Sequence, residues 1–133
     1  MAGKMVVAVK ALIRYQDRYL LVRRTAKDII GAGDWECPGG KLRFGETLEQ
    51  ALQREVMEET SLSIDIQRLL YATTFIPHCA YQSVLLVYLC LSQTDHVSLS
   101  SEHQDYRWIT HTAFPCYLSQ AIWHDLEKAD WHA

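Results

Sequence analysis

Nothing in this chain approaches the roughly eighteen consecutive apolar residues of a membrane helix, since the N-terminal run from Met5 to Val9 is broken at once by Lys10. That run is also too short and too charged for a signal peptide, so a cytoplasmic protein without a membrane partner is expected. Cys37, Cys79, Cys90 and Cys116 form no Cys-x-x-Cys pair. Their spacing argues against a zinc site and a disulfide framework, and they read as reduced, mostly buried thiols. The 6 histidines show neither His-x-x-x-His nor His-Glu-x-x-His spacing and read as structural or surface residues. There is no basic excess either: 13 Lys+Arg against 16 Asp+Glu leave a net charge of −3, which argues against nucleic-acid binding through bulk positive charge. Repeats, low-complexity stretches and Pro/Ser-rich linkers are missing.

What remains is 133 residues, 49% hydrophobic, enough for one domain (residues 1–133) with a core that needs no disulfide or structural metal. The β-branched run Val6–Ile13, a turn at Gln16-Asp17-Arg18 and the apolar Tyr19–Val22 predict a hairpin. Five of the 6 glycines and Pro38 fall between Thr25 and Gly45, marking a long irregular segment. Thr47-x-x-Gln50 has capping-box form, and Leu48, Ala51, Leu52 and Val56 recur at helical spacing, predicting a helix to about Thr60. A short strand-like piece at Leu62–Ile66 and strands over Leu69–Ile76, Val84–Leu91 and Tyr106–Ile109 follow, the second of these strands apolar enough to be central. Pro115 should stand near the start of a second helix with the stripe Leu118, Ala121, Ile122 and Leu126. The fold class is α/β, with helices packed on a sheet.

Chemistry concentrates in the first helix. Glu55 and Glu59 are four apart and share a face, and Glu58 borders it. Three carboxylates this close repel and raise one another's pKa unless a cation sits among them. A hard divalent ion such as Mg²⁺ takes oxygen ligands and keeps waters that phosphate oxygens can replace. Taken alone, the cluster reads more readily as a solvated acidic surface, the usual fate of a charge run. It does not stand alone, because Pro38-Gly39-Gly40 precedes it, Glu46 follows Gly40 after five residues, and Arg54-Glu55 follows seven after that.

From Gly40 to Leu62 the chain resembles the signature of the Nudix hydrolases, G-x5-E-x7-R-E-U-x-E-E-x-G-U with U apolar, and it is closest to small MutT-like members. Every fixed position matches except the last glycine, where Ser61 stands. The family glycine closes the helix in a left-handed conformation, so serine there should cost roughly 1 kcal/mol, or the helix ends differently. The resemblance implies an α/β/α sandwich with a mixed sheet flanked by helices. It also implies Mg²⁺- or Mn²⁺-dependent attack of water on phosphorus in a nucleoside diphosphate linked to another group.

It assigns Glu55, Glu58 and Glu59 to metal coordination and water activation, with the Gly39 carbonyl as a further metal ligand and Glu102 as a further ligand or base. Asp105 is the rival for the last role. Arg54 and Glu46 orient the carboxylates. Arg23, Arg24 and Lys27 are candidate phosphate contacts and Trp35 a candidate base or ribose contact, each with an ordinary surface or core role as the competing reading. A non-catalytic Nudix-fold module that senses a nucleotide such as ADP-ribose is the alternative, and a Nudix-fold isomerase a third. Trp123 and Trp131 either mark a homodimer interface or cover the core.

Overall fold

A computed structural model of the chain describes residues 3–25, 33–78, 81–129 and 131. Strands β1 (Lys4–Tyr15) and β2 (Arg18–Arg24) form the expected hairpin. Arg14 lies opposite Tyr19 and Tyr15 opposite Arg18, and Gln16 takes the positive φ of 56° that a two-residue hairpin loop asks of its first residue. β1 is the strand on which the sheet is assembled. Along one side it runs parallel to β6 (Tyr81–Ser92), from Lys4–Tyr81 to Arg14–Leu91.

The other side of β1 is shared. Ala8, Val9 and Lys10 pair with β4 (Gly39–Lys41), and only the end of β1 pairs with β2. β2 therefore turns away and takes β3 (Trp35–Glu36) and β7 (His103–Ile109) as antiparallel partners. β5 (Ile64–His78) covers the far side of β6, so the order is β3-β2-β1-β6-β5, with β4 on β1 and β7 on β2. This is a mixed sheet, and β6 lies between two partners as its apolar sequence requires.

Alternation along the strands divides the core in two. Val9, Ala11, Ile13, Leu20 and Val22 pack with Ala51, Leu52 and Val56 of α1 (Leu48–Thr60). Leu12, Tyr19 and Leu21 join a second cluster with Phe114, Leu118, Leu126 and Trp131. Helices thus cover both faces, as the resemblance implies. Each fully buried aliphatic side chain contributes roughly 1.5–3 kcal/mol, and the α1 cluster fixes the helix that carries the acidic residues.

Four local expectations need correction. From Ile64 on, the pieces Leu62–Ile66 and Leu69–Ile76 are one strand, β5, with register shifts between Ile66 and Arg68 and between Leu69 and Tyr71. The segment Thr25–Gly45 contains β3 and β4 rather than being irregular throughout. Pro115 lies inside a 3₁₀ turn (His111–Cys116), and α2 (Gln120–Lys128) starts later because the Ser119 hydroxyl caps it by accepting from the Ile122 N–H. Consequently Ala121 and Ile122 are exposed, and Leu126 is the one buried residue of α2. Phe114, Leu118 and Trp131 close that face instead, so Trp131 covers the core. Finally, Cys116 is exposed, whereas Cys90 is buried, Cys37 is intermediate, and Cys79 lies outside the described residues.

α1 has the anticipated capping box. Thr47 accepts from the Gln50 N–H (3.1 Å), and the Gln50 side chain accepts from the Thr47 N–H (2.9 Å). At its far end Ser61 adopts the left-handed conformation usual for glycine, with φ 64°, and its N–H donates to Met57 O at 3.0 Å. The strain, about 1–2 kcal/mol for a residue with a Cβ, is countered because Ser61 Oγ donates to Ser98 O at 3.1 Å. Such a bond contributes about 1 kcal/mol. Ser61→Ala, which keeps the strain and loses the bond, should therefore destabilise by about 1 kcal/mol in urea unfolding. Ser61→Gly, which loses both, should stay within about 0.5 kcal/mol of wild type. An alanine variant more stable than the glycine variant would contradict this account.

Candidate active site

The site begins with helical periodicity. Leu52, Val56 and Glu59 follow one another at four and three residues, so the stripe that buries α1 carries Glu59 inward with it. Glu59 is 3% exposed, although it is a carboxylate. Glu55 borders the same face and is largely covered, whereas Glu58 is half-exposed.

The glycine pair makes room for these groups. A Cβ on Gly40 would stand 2.5 Å from the Glu55 carboxylate, and one on Gly39 would meet the β1 backbone at Val9 O and Lys10 Cα. Gly39 also has a φ of 150° that L side chains rarely adopt. Its N–H donates to Glu59 Oε1 at 3.2 Å. Both glycines are therefore required by the close approach of β4 to β1 and α1.

Arg54 organises the acids from outside. Its Nε and Nη2 donate to the two oxygens of Glu46 at 2.6 and 2.9 Å, a bidentate contact. Its Nη1 donates to Glu55 Oε1 at 2.8 Å and to Glu58 Oε2 at 3.4 Å, and Nη2 also reaches Lys41 O at 3.1 Å. The bidentate partner is thus Glu46, with Glu55 and Glu58 held by the remaining arm. The bond to Arg54 holds the Glu46 carboxyl at about 2, and Glu46 in turn raises the Arg54 pKa. Arg43, not singled out in the sequence, stands 3.9 Å from Glu58 Oε1.

Glu59 behaves in the opposite way. Burial pushes its pKa up to about 8, and the charges of Glu102 and Glu55 push in the same direction against Lys10 and the Gly39 N–H. Glu102 therefore belongs to the electrostatic surroundings of Glu59. It sits in the turn before β7, and that turn is tied to the end of α1. Ser98 N–H donates to Thr60 O (3.0 Å) and Ser100 N–H to Glu59 O (3.1 Å). Asp105 is elsewhere, within β7 opposite Arg23, accepting from the Tyr106 N–H and facing Arg107.

The remaining candidates divide. Arg23 donates from Nε to Gly33 O at 2.9 Å, and its guanidinium lies 5.9 Å from the Trp35 ring centre. Arg107 approaches the same ring at 5.6 Å, and Tyr117 meets it edge-on. Arg23 and Trp35 are thus brought together, on the side of the sheet that carries the second core cluster. Arg24 instead stands 3.5 Å from Glu36. Lys27 lies outside the described residues.

Sequence reasoning missed Lys10, Glu36 and His103. Lys10 Nζ donates to Glu36 Oε1 (3.2 Å), and His103 Nε2 donates to Glu36 Oε2 (2.8 Å). Burial opposes the Glu36 charge, but Lys10, His103 and Arg24 outweigh it and hold that carboxyl at about 2. The one available signal was Lys10, a lone charge inside the apolar strand Val6–Ile13.

The donor set fits a hard cation. It consists of carboxylates, one of them buried and held largely neutral by its surroundings, beside a glycine backbone. Among the described residues no three acidic, His or Cys side chains converge at ligating distance, so an ion here would retain several waters, as Mg²⁺ does.

A mixed sheet between helices, bearing an acidic helix clamped by one arginine and backed by a Gly-Gly strand, is the construction of a Nudix domain. A family model described as the NUDIX domain matches residues 4–131, and the chain belongs to that family. It is 28% identical over 109 residues to the nucleoside triphosphatase NudI of Enterobacter sp. (strain 638), covering 74% of this chain and 77% of that protein. The MutT protein of Methanosarcina mazei Go1 superposes with a TM-score of 0.86 at 27% identity, covering 96% of this chain and 94% of the other. The MutT NUDIX hydrolase of Burkholderia pseudomallei gives a TM-score of 0.78 at 29% identity, over 95% and 98% of the two chains.

The raised Glu59 pKa has a consequence for stability. The folded protein holds a proton on Glu59 that the unfolded chain has released, so the group destabilises the fold as pH rises from about 4.5 to about 8. In EDTA, Glu59→Gln should thus melt at a higher temperature than wild type at pH 8.5 and at a similar temperature near pH 5. Equal differences at both pH values would show that Glu59 titrates normally.

Proposed function

We propose that this chain is a metal-dependent pyrophosphohydrolase that cleaves a nucleoside diphosphate linked to another group, with water attacking phosphorus. The observation that carries the reading is the Arg54 fork, which gathers Glu46, Glu55 and Glu58 beside the buried Glu59. A purely solvated acidic helix would leave these groups apart to lower their repulsion. A bound Mg²⁺ or Mn²⁺ would supply Lewis-acid polarisation and charge neutralisation at the phosphates.

Glu55, Glu58, Glu59 and Glu102, with the carbonyl of Gly39, are the residues we assign to hold the ion. Arg54 keeps Glu55 and Glu58 together, and Glu46 keeps Arg54 in place. Glu55 is our choice for the group that takes a proton from water. Arg23 and Trp35, adjacent on the side of the sheet that carries the second core cluster, are assigned to the nucleotide. Arg24 is better used as a partner of Glu36 than as a phosphate contact. Relatives named nucleoside triphosphatase make nucleoside triphosphates the first substrates to test, ahead of ADP-ribose.

Release of phosphate or pyrophosphate from a nucleotide panel should require Mg²⁺ or Mn²⁺ and should stop in EDTA. Binding without turnover would favour the nucleotide-sensing alternative. Glu55→Gln and Glu59→Gln should each lower kcat by orders of magnitude, whereas Glu49→Gln, exposed on the first turn of α1, should be nearly silent. Equal behaviour of all three would return the helix to the status of a solvated face.

Glu102→Gln should cost more than about tenfold in kcat, the usual scale for groups around a metal. Asp105→Asn, whose carboxylate faces Arg107 and the Tyr106 N–H, should be mild. The reverse ranking would move the assignment to Asp105.

A further inference from the structure

Between β1, β3 and β7 lies a partly buried polar group of residues that the assignments above do not use. His103 is 6% exposed, and its Nε2 donates to Glu36 Oε2 at 2.8 Å. The other oxygen of Glu36 accepts from Lys10 Nζ at 3.2 Å and faces Arg24 at 3.5 Å. Glu36 is thus anchored to β1 and β2 before it meets His103. The second ring nitrogen of His103, Nδ1, is buried without a hydrogen-bond partner among the described residues and stands 3.9 Å from Glu59 Oε1. One imidazole therefore spans the space between an immobilised carboxylate and the most buried acid of the cluster.

We propose that Glu36 and His103 are a positioning pair, which holds the turn carrying Glu102 against Glu59. The inference rests on the assignment of Glu102 and Glu59 to the metal site. His103 directly follows Glu102, so fixing its ring fixes the backbone from which Glu102 projects. Apart from the backbone bonds of Ser98 and Ser100 to α1 and the pairing of His103 with Arg24, the turn has few other constraints. Glu102 N–H donates to Ser100 Oγ at 3.3 Å, Thr25 N–H donates to Glu102 O at 3.2 Å, and His103 N–H reaches Ser100 O at 3.4 Å. All three are longer than the usual 2.9–3.0 Å.

The bond from His103 to Glu36 is shorter and partly buried, and it ends on a carboxylate that Lys10 and Arg24 already hold. Loss of that bond leaves the turn held by backbone bonds to α1 and β2 and by its own local contacts. Groups that orient metal ligands in this way are commonly worth roughly 10–100-fold in affinity or activity.

The test uses full-length protein, Mn²⁺ titration followed by electron paramagnetic resonance, and steady-state hydrolysis. His103→Leu removes the bond but fills the space, and His103→Gln restores a donor near the Nε2 position. His103→Leu should weaken Mn²⁺ binding and lower kcat about tenfold with KM little changed, and His103→Gln should recover most of both. In a double-mutant cycle, His103→Leu combined with Glu102→Gln should be no worse than Glu102→Gln alone, because the pair acts through Glu102. If His103→Leu does not fold, Glu36→Gln takes its place in the same cycle.

Wild-type Mn²⁺ affinity and kcat in a folded variant, or losses that multiply with those of Glu102→Gln, would overturn the pair. If Glu102→Gln itself left metal binding and kcat unchanged, the Glu102 assignment would fall and the pair with it. A damaging Glu102→Gln beside a harmless His103→Leu would reject the pair alone.

Discussion

One guanidinium keeps this site together. Arg54 spreads its donors over Glu46, Glu55, Glu58 and the Lys41 carbonyl, so four groups from the strand–helix connection and α1 share a single cation. Without it, carboxylates one helical turn apart would separate into solvent to reduce their repulsion. A lysine at this position would be a point charge on a flexible stem and could not reproduce the fork. The arrangement also brings Glu46, which precedes the helix, into the same cluster.

The second constraint is the burial of Glu59, which the same apolar stripe enforces that attaches α1 to the sheet. Packing and acidity are thereby linked, because the helix cannot bury Leu52 and Val56 without burying this carboxylate. Its raised pKa is the cost to the metal-free fold. Across the site the opposite treatment is given to Glu36, which three cations or donors keep ionised. A buried acid and a partly buried one are thus driven in opposite directions by their surroundings, one toward a proton and the other toward charge.

Much of this was legible before the structure. The hairpin, the capping box and the inward face of α1 follow from short-range patterns, and the glycine pair with its acidic helix carried the family. The end of α1 was legible as a position of strain at Ser61, but not the bond to Ser98 that offsets it. What escaped depends on long-range pairing. That Lys10, Glu36 and His103 meet requires β1, β3 and β7 to converge, and no spacing in the sequence encodes that convergence. The second helix was misplaced for a related reason. Its face of the sheet is closed mainly by Phe114 and Trp131, outside the helix, so the helical pattern carried little of the burial.

Arg54→Lys tests the central claim most directly, because it retains the charge and changes only the fork. With far-ultraviolet circular dichroism confirming an intact fold, Mn²⁺ titration and steady-state kinetics should show metal affinity and kcat both reduced by on the order of tenfold or more. A folded Arg54→Lys protein with the metal affinity and kcat of wild type would contradict the account, since the acids would then be held without the fork.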